Sequence, residues 1–210
     1  MSAAYEGLHS IVQLLFERGF DLNESNENGS TALMLAAQQG HIETVKFLLS
    51  RGANVNHRNI QKATPLSQTA KNGHVEMVKL LLDNDAEYNT VNHVGQSPLF
   101  NAAYLGHLDV VKLLLTRPDI DTNSTYTKND QYEGFNVLDA ALAFGHLDIA
   151  EVLELRGVIP NKIHSDNRSS VASQNPHWSI NEEERQRRSS STASLDPMTH
   201  MDRATEQGGN

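Results

Sequence analysis

The stretch GSTALMLAAQQGHIETVKFLLSRGANVN, residues 29–56, decides the fold, because its pattern returns along the chain. A fixed spacing of this size indicates one supersecondary unit repeated in series rather than a single globular pattern. The glycine of its Gly-His pair recurs every 33 residues, with one spacing of 39: Gly7 (followed by Leu8), Gly40, Gly73, Gly106 and Gly145. The longer spacing therefore contains six additional residues.

Each unit is predicted to contain two helices. Thr64-Pro65 and Ser97-Pro98 place a capping side chain before a proline that fits the first helical turn, which predicts two helix starts. The glycine of each Gly-His pair supplies the left-handed backbone that ends the first helix. Apolar residues at 42, 45, 48 and 49 then follow a helical period. Because one helix pair cannot bury both of its flanks, we expect the units to stack into an all-α solenoid.

These repeated residues resemble the ankyrin-repeat family, over roughly residues 3–158. The resemblance implies antiparallel helix pairs joined by projecting hairpin loops, called fingers below. We assign a partial first repeat to residues 3–25 and a polar insertion, which forms an enlarged finger, to about 119–134. The four full repeats are assigned to 26–58, 59–91, 92–124 and 131–158.

The two ends of the array differ in sequence. The first unit is expected to lack its opening helix, and its second helix, at 11–16, has no polar outer flank. It is either a half-repeat cap or the beginning of a fragment of a longer array. At the other end, Leu153-Glu154 replaces an earlier Leu-Leu pair, which predicts a capping repeat. Residues 159–210 contain 11 apolar side chains and nine serines, so we expect a disordered, Ser-rich tail.

Composition argues against several classes of function. The net charge of −9 disfavours nucleic acid as a partner, because duplex binding needs clustered Lys and Arg. Apolar runs are too short to cross a bilayer, and the lack of cysteine excludes disulfides and thiolate sites. We find no catalytic or phosphate-binding motif. The Gly-His histidines occur once in each full repeat, which predicts a structural role, because stacking would place them in a row and not around a common metal ion. We therefore expect no enzyme activity, no metal and no cofactor.

The resemblance implies a non-catalytic protein–protein interaction module. Such a module, or adaptor, would bind a partner protein through its finger loops and the concave face of its first helices. The alternative is an ankyrin-containing fragment of a larger signalling protein, channel or enzyme whose activity lies outside this chain. Mapped onto this sequence, the partner-binding positions are Gln38, Gln39, Lys71, Asn72, His93, Tyr104, Leu105, Tyr132, Phe135 and Phe144.

Aromatic residues gather in the C-terminal half of that surface, from Tyr104 to Phe144. Aromatic anchors are enriched in interface hot spots, which favours partner binding there. Two other interpretations stay open. The insertion could fold back over Phe135 and Phe144, or Trp178 and Ile180 of the tail could cover them, leaving a local core.

The tail carries one regulatory motif. The run Arg185-Gln186-Arg187-Arg188 resembles the basic side of a Ser/Thr kinase substrate, and a phosphate beside it could pair with the arginines. The candidate acceptors are Ser189, Ser190 and Ser191. Because the sequence contains no secretory or membrane signal, we expect a location in the cytoplasm, with the nucleus as the alternative. We also expect a monomer.

Overall fold

A computed structural model describes residues 1–128 and 131–162 of this chain. Ten helices occur in these described ranges, and apart from one isolated bridge between Ser25 and Thr31 no strand occurs there. The helices are α1 (Ser2–Tyr5), α2 (His9–Glu17), α3 (Ala32–Gln38), α4 (Ile42–Ser50), α5 (Pro65–Asn72), α6 (Val75–Leu82), α7 (Pro98–Leu105), α8 (Leu108–Leu114), α9 (Val137–Ala143) and α10 (Leu147–Leu155).

Side-chain caps begin the first helices of the units. The Thr64 hydroxyl accepts from the Ser67 amide while the Ser67 hydroxyl accepts from the Thr64 amide, a complete capping box. Ser97 accepts from the Phe100 amide at 3.1 Å, and a proline follows both caps. At the far end, α5 and α7 stop at Gly73 and Gly106, whose φ angles of 74° and 81° are left-handed. The predicted starts and stops are confirmed.

The units stack through their first helices, α1 on α3, α3 on α5, α5 on α7 and α7 on α9. Small residues such as Ala36, Ala37 and Ala102 are fully buried in this stack, where they let helices approach closely. The second helices bury their apolar stripe, as at Val45 and Leu48, while the lysines off the stripe are exposed. The expected all-α solenoid is confirmed, and it is held together by contacts between neighbouring units.

The first unit departs from its prediction. It retains an opening helix, the four-residue α1, which packs against α3 and buries Ala4. The expectation that this helix is missing is wrong, because one turn suffices to supply a small residue to the stack. The outer flank of α2, in contrast, is apolar and exposed, as its sequence indicates.

A hydrogen bond of the same kind closes each finger. The amides of Asn26, Asn59 and Asn92 each donate to a carbonyl four residues later, and the Asn side-chain oxygens accept from amides inside the finger. In the last finger, Tyr126 takes the place of the asparagine, and its amide donates to the carbonyl of Phe135, nine residues later. The last finger is therefore five residues longer than the others.

The sixth additional residue lies before that finger. Amides of consecutive fingers donate to the preceding finger, from Ile60 to Asn28, from His93 to Gln61 and from Thr127 to Val94. The donors Ile60 and His93 are 33 residues apart, whereas His93 and Thr127 are 34 apart. These bonds connect each finger to the preceding one, so that the fingers form one continuous row.

The C-terminal end of the stack is closed by the chain itself. The buried Asp139 carboxylate accepts from the amides of Asn136, Asn161 and Lys162 at 2.9–3.0 Å. The Asn136 side chain also donates to the carbonyl of Ile159 at 2.7 Å. The first four residues of the predicted tail, 159–162, are thereby tied to the last repeat, and the rest of the tail lies outside the described residues.

Candidate partner-binding surface

The repeated histidines connect the units and do not form a site of their own. In each of the four Gly-His pairs the ring Nε2–H donates to a backbone carbonyl of the preceding unit, at 2.8–3.1 Å. The bonded pairs are His41 with Tyr5, His74 with Gln38, His107 with Lys71, and His146 with Tyr104. Their predicted structural role is confirmed. Over residues 1–128 and 131–162, no group of three or more acidic or histidine side chains could hold a metal.

One of these histidines has a shifted pKa. Burial is the main cause that lowers the pKa of His107 from its usual 6.5; the bond to the Lys71 carbonyl raises this pKa, and the electrostatic interaction with His74 lowers it. The imidazole is therefore kept neutral more readily than a free histidine, which suits a ring held between two repeats.

The fingers and the C-terminal ends of the first helices share one surface, here called the finger face. In its N-terminal half Gln39 and His93 are exposed, whereas Gln38, Lys71 and Asn72 are half-buried. The Asn72 side chain donates to the carbonyl of Gln38 at 2.7 Å, so part of its polarity holds neighbouring units together. This half offers polar groups on a fixed backbone.

A finger tip supplies the most exposed apolar residue of this face. Ile60 is 72% exposed, while its amide is fixed by the bond to Asn28. The corresponding tip residues of the other fingers are Glu27, His93 and Thr127, all polar. Ile60 is not among the partner-binding positions predicted from the sequence. The signal that identifies it is an isoleucine at a repeat position that is otherwise polar.

Tyr104 belongs to the core and not to the surface. It is only 4% exposed, and its ring lies 4.3 Å from that of Phe144 and 6.3 Å from that of Phe100. Tyr126 continues the cluster, 6.2 Å from Phe100 and nearly parallel to it. The prediction that Tyr104 faces a partner is therefore wrong, because the rings of Phe100 and Phe144 pack against it, and Tyr126 and Tyr132 of the insertion contact those two rings in turn.

The remaining aromatic positions are half-buried. Tyr132 lies 5.4 Å from Phe135 and 5.3 Å from Phe144, ring centre to ring centre, and Leu105 is also partly accessible. The enlarged finger thus covers these side chains in part, as one of the sequence-based alternatives proposed. An apolar patch of Leu105, Tyr132, Phe135 and Phe144 is left with one side toward the surface.

Several predicted features lie outside the described residues: Ser189, Ser190, Ser191, Trp178 and Ile180. Phosphorylation of the serines and coverage of the patch by the tail both stay predictions. Among helices of the described ranges, none combines the length and the hydropathy that crossing a bilayer requires.

Comparison with known families agrees with the architecture. The model for ankyrin repeats (three copies) matches residues 1–92 and 66–163, whereas a search of curated proteins finds no match. Ankyrin repeats are generally protein-interaction modules, and the family is typically non-catalytic. The stacked helix pairs, the histidine bonds between units and a family match that spans residues 1–163 together show that this chain belongs to the ankyrin-repeat family.

Proposed function

We propose that this chain is a non-catalytic adaptor that binds a segment of a partner protein along the finger face. The observation that carries the proposal is the exposed Ile60 on a finger tip whose backbone is fixed. Burying a large apolar side chain in a complex is favourable, because it removes apolar area from water, and a fixed backbone presents the side chain in one place.

Rigidity supports the same function. Bonds between fingers, from Ile60 to Asn28 at 3.2 Å and from His93 to Gln61 at 3.0 Å, hold the face in place before any partner arrives. A preorganised surface loses little conformational entropy on binding, so more of the contact energy appears as affinity.

Because the two halves of the finger face differ in polarity, they favour a partner segment that has both polar and apolar side chains. Around Gln39 and His93 the partner would meet exposed polar groups, and at the patch of Leu105 and Phe144 it would meet partly covered apolar ones. We expect an extended or helical segment with one apolar anchor against Ile60 and a second at the patch. Polar side chains would separate the two anchors.

A matched pair of variants tests the proposal. Ile60→Asp should abolish retention of partner proteins on the immobilised full chain, because it places a charge where an apolar anchor would be buried. The control is Leu155→Asp, which introduces the same charge at a residue that is 81% exposed outside the finger face. Proteins retained by the wild type and by the control, but lost with Ile60→Asp, are partners of the finger face. Equal retention by all three versions contradicts the proposal.

A further inference from the structure

Two positively charged side chains flank Ile60 in the second finger. Arg58 lies two residues before it and Lys62 two residues after it, and both are exposed. Residues 57–64, which span this finger, contain no acidic residue, although the whole chain has a net charge of −9. The exposed apolar residue of the finger face is therefore bordered along the chain by positive charge on both sides.

The Arg58 guanidinium is held in place by backbone carbonyls. Its Nη2 donates to the carbonyl of Val91 at 2.6 Å, next to the base of the third finger, and its Nε donates to the carbonyl of Lys62 at 3.3 Å. Both acceptors are uncharged, so these bonds fix the guanidinium without neutralising it. A guanidinium carries further N–H donors, which can still bind a carboxylate. Because Arg58 is already ordered, it loses less side-chain entropy on binding.

Lys62 has a backbone conformation that favours glycine. Its φ of 59° is left-handed, and the corresponding residues of the other fingers are Gly29, Gly95 and Gly134. Backbone strain of this kind clusters at binding sites, where the side chain has a task that compensates for its cost. The strained lysine next to Ile60 thus indicates a role for its positive charge, independently of Arg58.

The other fingers do not share the charge of the second one. The first finger carries two acidic residues, Glu24 and Glu27, and residues 90–97 of the third finger contain no Lys, Arg, Asp or Glu. In the described part of the last finger, Lys128 is balanced by Glu133. Among the described finger residues, a net positive charge therefore occurs at the second finger alone. An anionic group would be attracted to this one place along the row.

We propose that the partner segment of the finger face is acidic at its anchor. An apolar side chain of the segment packs against Ile60, and Asp or Glu side chains beside it pair with Arg58 and Lys62. This inference rests on the proposed function, because it names the chemistry of the segment that the finger face binds. The ion pairs lie at the exposed rim of the anchor, where they fix the register of the segment and favour acidic sequences over basic ones.

Selection from a phage-displayed library of random peptides on the immobilised full chain tests the proposal. Peptides enriched by the wild type should contain an apolar residue with Asp or Glu close to it. The charge-reversed double variant Arg58→Glu/Lys62→Glu should enrich peptides with Lys or Arg at those places instead. The matched control, Lys79→Glu/Lys112→Glu, makes the same change of charge at two exposed lysines outside the finger face and should enrich the same acidic peptides as the wild type. Circular dichroism verifies that each variant is folded.

A single substitution provides a second measurement that does not depend on charge reversal. Lys62→Gly suits the left-handed backbone, so it keeps the finger intact and removes only the charged side chain. It should weaken binding of a selected acidic peptide about two- to fivefold, as expected for the loss of one exposed ion pair. The difference from the wild type should shrink between about 0.15 M and about 1 M salt, because the screening length falls from about 8 Å to about 3 Å.

The outcomes separate this proposal from the proposed function. The acidic preference is overturned if the wild type enriches no peptide, if its peptides lack acidic residues near the apolar one, or if the charge-reversed variant enriches the same acidic peptides. If Ile60→Asp loses the selected peptides while both charge changes leave them bound, the finger face binds segments but has no acidic preference. If Ile60→Asp retains them as the wild type does, the finger face itself is the wrong surface.

Discussion

The first three fingers and the last finger are closed by the same kind of backbone hydrogen bond, but they have different residues at their base. In the early fingers the base residue is Asn26, Asn59 or Asn92, whose side chain satisfies amides within a five-residue loop. In the last finger the base residue is Tyr126, which is fully buried and stacks on Phe100. The backbone closes in the same way in both cases. A polar base gives a short exposed finger, whereas an aromatic base lets a longer loop fold down onto the helices.

The largest effect is expected at the aromatic base. Tyr126→Ala should lower the free energy of unfolding by about 3–5 kcal/mol, because a buried ring is replaced by a cavity between the last finger and Phe100. Urea unfolding followed by circular dichroism measures it. A loss below about 1 kcal/mol, typical of a surface change, would show that the last finger is not anchored by its base.

Replacing a polar base should cost less. In Asn92→Ala the amides of Val94 and Gln96 lose an acceptor at 3.0 and 2.9 Å, and we expect a loss of about 1–2 kcal/mol. The same unfolding measurement applies. If Asn92→Ala destabilised the chain as much as Tyr126→Ala, the contrast between the two kinds of base would be wrong.

One early finger contains a strained residue that can be relieved. Lys62 has a φ of 59° at the position where the other fingers have Gly29, Gly95 and Gly134. For a residue with a Cβ, the left-handed backbone conformation costs about 1–2 kcal/mol. Part of the gain from glycine is offset by its greater freedom in the unfolded chain, so Lys62→Gly should stabilise by about 1 kcal/mol. As a control, Lys79→Gly in the helix α6 should be destabilising.

The smallest effect is the change of stability with pH that is caused by His107, which lies between two stacked repeats. Since the pKa of folded His107 lies below 6.5, the unfolded chain takes up this proton first, and stability should fall as the pH drops below 6.5. His107→Asn removes this proton uptake, so its melting temperature should fall less between pH 7 and pH 5. His93→Asn, at an exposed finger tip, serves as the comparison. Parallel curves for wild type and His107→Asn would contradict the assigned cause.

Much of the fold could be predicted from the sequence because its determinants are local and repeated. Thr64-Pro65 and Gly73 specify a helix start and stop through their own backbone preferences, and the structure places them there. The histidines could be assigned a structural role because one occurs in each of the four full repeats. Tyr104 could not be assigned correctly, since its ring is buried against Phe100 and against Phe144, which belongs to the next repeat and meets it only when the repeats stack.

Sequence by itself determined the repeat, its helix pairs and their stacking into a solenoid, because a 33-residue pattern with one apolar stripe has few ways to bury its flanks. Tertiary structure alone decided which side chains are available for binding. It buried Tyr104, left Ile60 in solvent and bonded the amides of Asn161 and Lys162 to Asp139. Exposure is set by what neighbouring elements cover, and for the insertion and both ends of the stack those neighbours do not follow the repeat.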